Sequence, residues 1–410
     1  MERQRDRVAG LDVHRDTVVA CVLAVVGNEA RVDKQRFSTT AKGIRGLIGW
    51  LADHEVERVV MEATGVYWKP VFYPLEDLFA EVWLVNAYHV KNVPGRKTDM
   101  SDAEWLADVA AHGMVRPSFV PPPEIRGLRE LTRYRKTQIK ARAQEIQRFE
   151  KVFQDAGVKI TSVASHVWSK SSREMVSAMI AGTTDPAKLA ELAKSRMRSK
   201  IPALTEALEG NWKPYHSTVA ARIMAHIDFL DAQIAELSDQ IIEATRPFES
   251  AITLITTIPG VSRLTAEVII AEIGVDMSRF PTAGHLCAWA GVAPASHESA
   301  GKRRAAGTRR GGRALKVALT EAAKAASRSK GTRLAARYQQ IARRRGAGRA
   351  TTAVAHTILA IVWHMLSTGE VYTDLGSEFY ELKRDPAREI NRHIKALLDQ
   401  GYEITAPKAA

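Results

Sequence analysis

The chain has 410 residues, 45% of them hydrophobic and 26% charged, a balance that builds packed cores and has room for two domains with a connecting module. Its formal net charge of +13 is out of the ordinary and points to a polyanionic partner, nucleic acid foremost. Two cysteines, Cys21 and Cys287, exclude a disulfide framework and a zinc site of the usual Cys/His spacing; both fit core positions in a reducing cytoplasm.

The charged N-terminus runs directly into a strand pattern, with no apolar leader before it. Val8 to Asp12 reads as a strand, Thr17 to Val25 as a second and Arg31 to Ser38 as a third, antiparallel to its neighbour. Ile44, Leu47, Ile48 and Leu51 recur at helical spacing, Arg58 to Glu62 is a strand, Tyr67 to Phe79 a helix, and Glu81 to Val85 a further strand. A meander followed by strand-helix-strand predicts a mixed sheet flanked by helices, in the order of a ribonuclease-H-like core.

Pro121-Pro122-Pro123 ends that pattern. A long helix to about Asp155 follows, with Ile125, Leu128, Leu131, Ile139, Ile146, Phe149 and Phe153 on one seam. A second, from about Ser217 to Thr245, repeats Ile223, Ile227, Leu230, Ile234, Leu237 and Ile241, so the two are expected to pair as an antiparallel coiled coil or to mediate dimerisation. Asp185-Pro186 between them reads as a helix cap and first turn. Further on, Ile258-Pro259-Gly260-Val261-Ser262 precedes a helical run from Leu264 to Ile273, and Leu286 to Ala290 opens another. The apolar stretch Val354 to Leu366 is too short for a membrane span and carries His356 and His364, so it reads as a buried helix; no membrane partner is expected. Asp385-Pro386 opens a last helix that ends near Gly401. The expected fold class is α/β plus α.

Chemistry concentrates in two places. Asp12 and Glu62 each close a strand, where α/β sheets gather catalytic groups. Asp99 and Asp102 are three apart and share a face if a helix starts there. Four converging carboxylates require a cation, and magnesium, a hard ion with oxygen ligands, suits them for phosphoryl transfer. Residue by residue other roles stay open: Asp12 as a turn residue before His14-Arg15, Glu62 as a solvent-facing strand end, and Ser101-Asp102-Ala103-Glu104 as a capping box. The second place is the segment around Glu298-Ser299-Ala300-Gly301-Lys302-Arg303-Arg304, where a serine stands before a small pair and a cationic cluster able to hold a phosphate. By pattern alone Ser299 also reads as a plain loop serine.

Positive charge is concentrated from Lys302 to Arg349, with Arg303, Arg304, Arg309, Arg310, Arg313, Lys316, Arg333 and Arg337 among sixteen cations facing the single acid Glu321. A merely solvated face mixes signs, so this span is expected to bind nucleic acid, steeply salt-dependent, with Gly307, Gly311 and Gly312 admitting phosphates to the backbone. Gly260 in Pro259-Gly260-Val261 fits a phosphate-binding helix-hairpin-helix turn or an ordinary helix-helix turn. The basic helix bearing Arg126, Arg129, Arg133, Arg135, Lys136, Lys140, Arg142 and Arg148 offers another surface, in keeping with RNA.

The stretches Gly10-Leu11-Asp12-Val13, Met61-Glu62-Ala63-Thr64-Gly65-Val66-Tyr67 and Lys97-Thr98-Asp99-Met100-Ser101-Asp102-Ala103 resemble the acidic motifs of the DEDD transposases of insertion-sequence family one-ten, recombinases guided by a bridge RNA. The resemblance implies a RuvC-like domain over residues 1–120 whose metal ligands are Asp12, Glu62, Asp99 and Asp102. It also implies a helical coiled-coil region over 121–247, a transposase domain over 248–369 with Ser299 as nucleophile, and a helical tail over 370–410. Its implied cofactor is Mg2+. Its implied partners are element-end and target DNA, a bridge RNA, and further copies of the chain in a dimer or tetramer. Ala300 stands where the family often has glycine, and Ser296 is the only neighbouring hydroxyl rival. A rival reading is a RuvC-like resolvase that uses water as its nucleophile; a nucleic-acid-binding scaffold is the non-enzymatic one.

Overall fold

The computed structural model describes residues 4–26, 29–91, 93, 101–294, 297–299, 302–304, 307–308, 311–382 and 386–403. They form two compact units, Met1–Val120 and Pro121–Ala410.

The first unit is a five-stranded sheet in the order β3-β2-β1-β4-β5, made of β1 (Arg7–Val13), β2 (Thr17–Val26), β3 (Glu29–Ser38), β4 (Arg58–Glu62) and β5 (Glu81–Val85). The first three are an antiparallel meander, and β1, β4 and β5 run parallel, as a mixed sheet requires. Alternation along the strands divides the core. Ala9, Leu11, Val13, Val59, Met61 and Leu84 point to one face, where α1 (Ala41–Asp53) contributes Ile44, Leu47 and Leu51, and α2 (Lys69–Glu76) contributes Val71, Phe72 and Leu75. Val8, Val60 and Val85 point to the other, under α3 (Ala87–Lys91) and α4 (Asp102–Ala111). Helices thus cover both faces, which agrees with a RuvC-like α/β core. The second helix is shorter than the Tyr67–Phe79 span that the sequence pattern suggests, since it starts at Lys69 after Trp68 and ends at Glu76.

The second unit opens with α5 (Pro123–Asp155), Pro123 taking the first helical position where its missing N–H costs nothing. Four short helices follow, α6 (Ile160–Val163), α7 (Lys170–Ile180), α8 (Pro186–Ala190) and α9 (Ile201–Leu208), and then α10 (Pro214–Ala244) returns along α5. Their partners fix an antiparallel pairing: Leu128 clusters with Ile241, Arg142 bonds to Asp231, and Asp155 accepts from His216 at 2.9 Å. At the far end Phe149, Phe153 and Ile227 share a core with Met175, Leu189 and Leu204 of the short helices. The rest is α11 (Glu249–Thr256), α12 (Arg263–Ile273), α13 (Ala283–Trp289), a ribbon of β6 (His297–Ser299) and β7 (Lys302–Arg304), then α14 (Arg313–Ala326), α15 (Arg333–Arg345), α16 (Ala347–Thr368), α17 (Phe379–Leu382) and α18 (Pro386–Leu398). Long and apolar enough to cross a membrane by composition, α16 is instead a core helix that buries Val354, Ile358, Leu359 and Val362 against its neighbours.

The arginines of α5 depart from the expected RNA-facing surface. Arg133 holds Glu272 of α12 with two bonds of 2.7 and 2.9 Å, Arg135 holds Glu267 at 2.7 Å, Lys136 holds Glu321 at 2.6 Å, and Arg142 and Arg148 pair with Asp231 and Glu145. The sequence shows the cations in one run but their acids lie up to 185 residues away, so the compensation is invisible there. Arg135 and Glu267 are each 3% exposed. Removing one partner of such a pair leaves a buried charge alone, so Glu267→Ala is expected to lower stability by about 3–5 kcal/mol in urea unfolding, and Glu267→Gln by less. Equal, negligible losses for both would show the pair to be solvated.

Candidate active site

Parallel β1 and β4 pair through Leu11 and Met61, so Asp12 and Glu62 are the next residues of adjacent strands, at the carboxyl ends, and on the same face as Gly10 and Val60. That face lies under α4. A Cβ on Gly10 would stand 2.0 Å from the carbonyl oxygen of Ala103 and 2.6 Å from the amide nitrogen of Ala107, so only glycine lets the helix backbone come so close. At the opposite end of the strands, the buried Arg58 guanidinium donates to the carbonyl of Ala110 at 2.8 Å, and it also pairs with Glu81 and lies 3.7 Å from the Trp83 ring centroid. With Ala110 over the strand starts and Ala103 over Gly10, α4 runs antiparallel to β1. Its N-terminus, and Asp102 as its first residue, therefore lies toward the Asp12–Glu62 end.

Local capping sets that N-terminus. The Ser101 side chain accepts from the Glu104 amide at 3.4 Å, as a capping serine should. The Glu104 carboxylate goes instead to Lys34 of β3, at 2.5 Å. Lys34 and Arg58 thus fasten the two ends of α4, a role carried by long-range pairs and unmarked by any sequence motif. Asp102, in the first turn, also complements the helix dipole. Cys21, paired with Gly10 across the strands, has its thiol pushed up to about 11 by burial and is chemically quiet.

Asp12 is 28% exposed and has His14 Nε2 3.1 Å from its Oδ2. His14 opens the β1–β2 turn, where its amide donates to the Thr17 carbonyl. Among the described residues no group of three or more His, Cys, Asp or Glu side chains is placed to hold a metal ion. Asp99 lies outside the described residues. What the structure brings together is a pair of adjacent strand-end carboxylates on the sheet face over which the N-terminus of α4, with Asp102, extends.

In the second unit Ser299 ends β6, directly across from Lys302, with Glu298 facing Arg303 and His297 facing Arg304. A bridge between Pro294 and Thr308 continues the ribbon toward its base. The sequence pattern suggests a loop here; the structure has a hairpin, because two short strands flanking Ala300-Gly301 satisfy each other's backbone. Arg309 and Arg310 lie outside the described residues, and Arg313 is exposed at the start of α14. Two glycines serve packing rather than phosphate approach. A Cβ on Gly311 would sit 2.4 Å from the backbone of Ala290 and Gly291, and one on Gly260, at φ +89°, would sit 2.4 Å from the Ala322 carbonyl of α14. Gly260 therefore locks its turn onto α14.

Comparison with known proteins agrees with this arrangement. A family model of DEDD type described as "Transposase" matches residues 9–157, and one described as "Transposase IS116/IS110/IS902 family" matches residues 252–339. The class is therefore that of DNA-processing enzymes, the transposases. The chain belongs to the IS110 family of DEDD transposases. Relatives include "Transposase for insertion sequence element IS1111A" of Coxiella burnetii, 23% identical and covering 89% of this chain and 91% of its own length. "Probable family 20 transposase" of Pseudomonas aeruginosa is 25% identical over 77% of this chain and 85% of its own length. "Pilin gene-inverting protein" of Moraxella bovis is 25% identical over 71% and 73% respectively.

Proposed function

We propose that this transposase is a site-specific DNA recombinase that cuts and rejoins strands through Ser299, guided by a bridge RNA, with the acidic cluster as a magnesium site. The observation that supports it most is the pairing of Asp12 and Glu62 on adjacent strand ends beneath the helix that starts at Asp102. Carboxylate oxygens are the hard donors that Mg2+ takes, and Asp12, Glu62, Asp99 and Asp102 are the residues that would hold it. Bound there, the ion would supply charge stabilisation to a reacting phosphodiester.

The chain's own groups do the rest. Ser299 Oγ attacks the scissile phosphorus, an O–P bond forms, and the P–O bond to the leaving deoxyribose oxygen breaks; that oxygen departs as a hydroxyl and the serine proton leaves to the surroundings. The phosphoserine link conserves the ester bond, so the reverse attack by a new strand end rejoins DNA without an outside energy source. Lys302, Arg303, Arg304, Arg309, Arg310 and Arg313 would grip the flanking phosphates. Serine and carboxylates come together across a dimer or tetramer in this reading, and the α5–α10 pair serves as its coiled-coil arm. The relative named for inverting a pilin gene is in keeping with conservative strand exchange.

Ser299→Ala is the direct test. Loss of both cutting and the covalent protein–DNA adduct, seen as a gel-shifted band after denaturation, is expected. Cutting that persists without the adduct would assign the nucleophile to water. Sequencing RNA that copurifies with the protein tests the guide, and absence of any enriched species would remove that part alone.

A further inference from the structure

Past α16 the chain turns at Gly369, where φ is +76°, and the following segment packs along α15. Asp374 ties it to the first turn of that helix. Its Oδ1 accepts from the backbone N–H of Arg333 at 2.9 Å and from Gly376 at 2.8 Å, and its Oδ2 accepts from the Tyr372 hydroxyl at 2.9 Å. Burial, then this bond to Asp374, pushes the Tyr372 hydroxyl well above its ordinary range, which keeps it a donor. Two rings follow. The Arg333 guanidinium lies 5.0 Å from the Phe379 centroid, and that of Arg337 lies 5.8 Å from Tyr380, whose hydroxyl accepts from Arg337 Nη1 at 3.3 Å. The Nε atoms of both arginines are buried without a hydrogen-bond partner among the described residues.

The helix beneath carries Arg333, Arg337, Arg343, Arg344 and Arg345 and no acid. An anion at its N-terminus, with flat rings stacked on its guanidinium groups, repeats the chemistry by which single-stranded polynucleotides bind: phosphate on backbone amides, bases on arginine and aromatic faces. The segment is also poorly anchored as a core element. Val371 is 64% exposed and Leu375 52%, so attachment rests on the polar and cation–π contacts, which a polyanion can replace in kind.

We propose that residues 370–382 are an intramolecular competitor covering a single-stranded polynucleotide site on α15, centred on Arg333 and Arg337, and that the polynucleotide displaces them. Nothing in this depends on which group is the nucleophile.

A competitor closed in roughly nine molecules of ten weakens apparent affinity about tenfold, so opening it restores that factor. The test measures fluorescence anisotropy of labelled oligo(dT) and oligo(U) with the full chain and with an Asp374→Ala/Tyr380→Ala double variant. The variant is expected to bind about tenfold more tightly, with a salt slope steeper by roughly 0.7 for each phosphate newly contacted. Adding Arg333→Ala/Arg337→Ala should abolish the gain. A gain with oligo(dT) alone identifies the ligand as DNA, with oligo(U) alone as RNA, and with both as any single strand. Unchanged or weaker binding, or a gain that survives loss of both arginines, overturns the proposal. Hydrogen exchange of the unaltered chain gives an answer independent of any variant's folding: saturating oligonucleotide should deprotect residues 370–382, and unchanged or increased protection there also overturns it.

Discussion

Asp12→Asn and Glu62→Gln are each expected to slow DNA strand cleavage by on the order of 10²–10³-fold in magnesium, the several kcal/mol that a charge-stabilising ion contributes. Folding and DNA binding should survive. Asp12 is partly exposed at the end of β1, so its charge supports no buried partner, and the isosteric amides keep volume and polarity. The basic residues expected to grip DNA lie in the other unit. Cleavage kinetics on a labelled element-end duplex, with thermal melting and salt-dependent binding as controls, separate the two effects. If the Asp12→Asn variant cuts at the unaltered rate, this carboxylate has no part in the chemistry.

Gly10→Ala should be nearly as damaging by a different route. The added methyl meets the carbonyl oxygen of Ala103 and the amide of Ala107, both backbone atoms of α4 that cannot swing aside. Either the helix moves off the sheet or the strand bends. Overpacking of this kind costs about 3 kcal/mol or more, which lowers the melting temperature of a unit this size by about 10 °C. Because Asp102 rides on the N-terminus of α4, cleavage should fall even at temperatures where the variant stays folded. A melting curve unchanged to within a degree would mean that α4 sits further from the sheet than the Gly10–Ala103 approach requires.

The strand meander, the two long helices and the capped start of α4 were legible because each is written in local periodicity or a local cap. The order Asp12, Glu62, Asp102 was legible for the same reason: each acid ends or begins an element whose pattern is clear. Their placement was not, since it depends on Arg58 reaching Ala110 and Lys34 reaching Glu104, contacts 52 and 70 residues apart. The cationic run of α5 misled for a related reason. A helix face crowded with arginine looks like a polyanion surface until Glu267 and Glu272, more than a hundred residues on, are seen to neutralise it. The hairpin that carries Ser299 has three residues per strand, too few for an alternating pattern to register.

The pairing of α5 with α10 also sets a length scale. At 1.5 Å per residue, the 33 residues of α5 span about 50 Å. The half near Leu128 to Arg135 is bound to α12, whereas Phe149 and Phe153 belong to the small helical cluster at the other end. Laid beside B-form DNA at 3.4 Å per base pair, that distance is about fifteen base pairs, roughly one and a half turns of the duplex. From Arg135, bound to α12, to Phe149 in the distal core the helix advances about 21 Å, the rise of roughly six base pairs. The α5–α10 pair thus sets the spacing between two separate cores of the second unit.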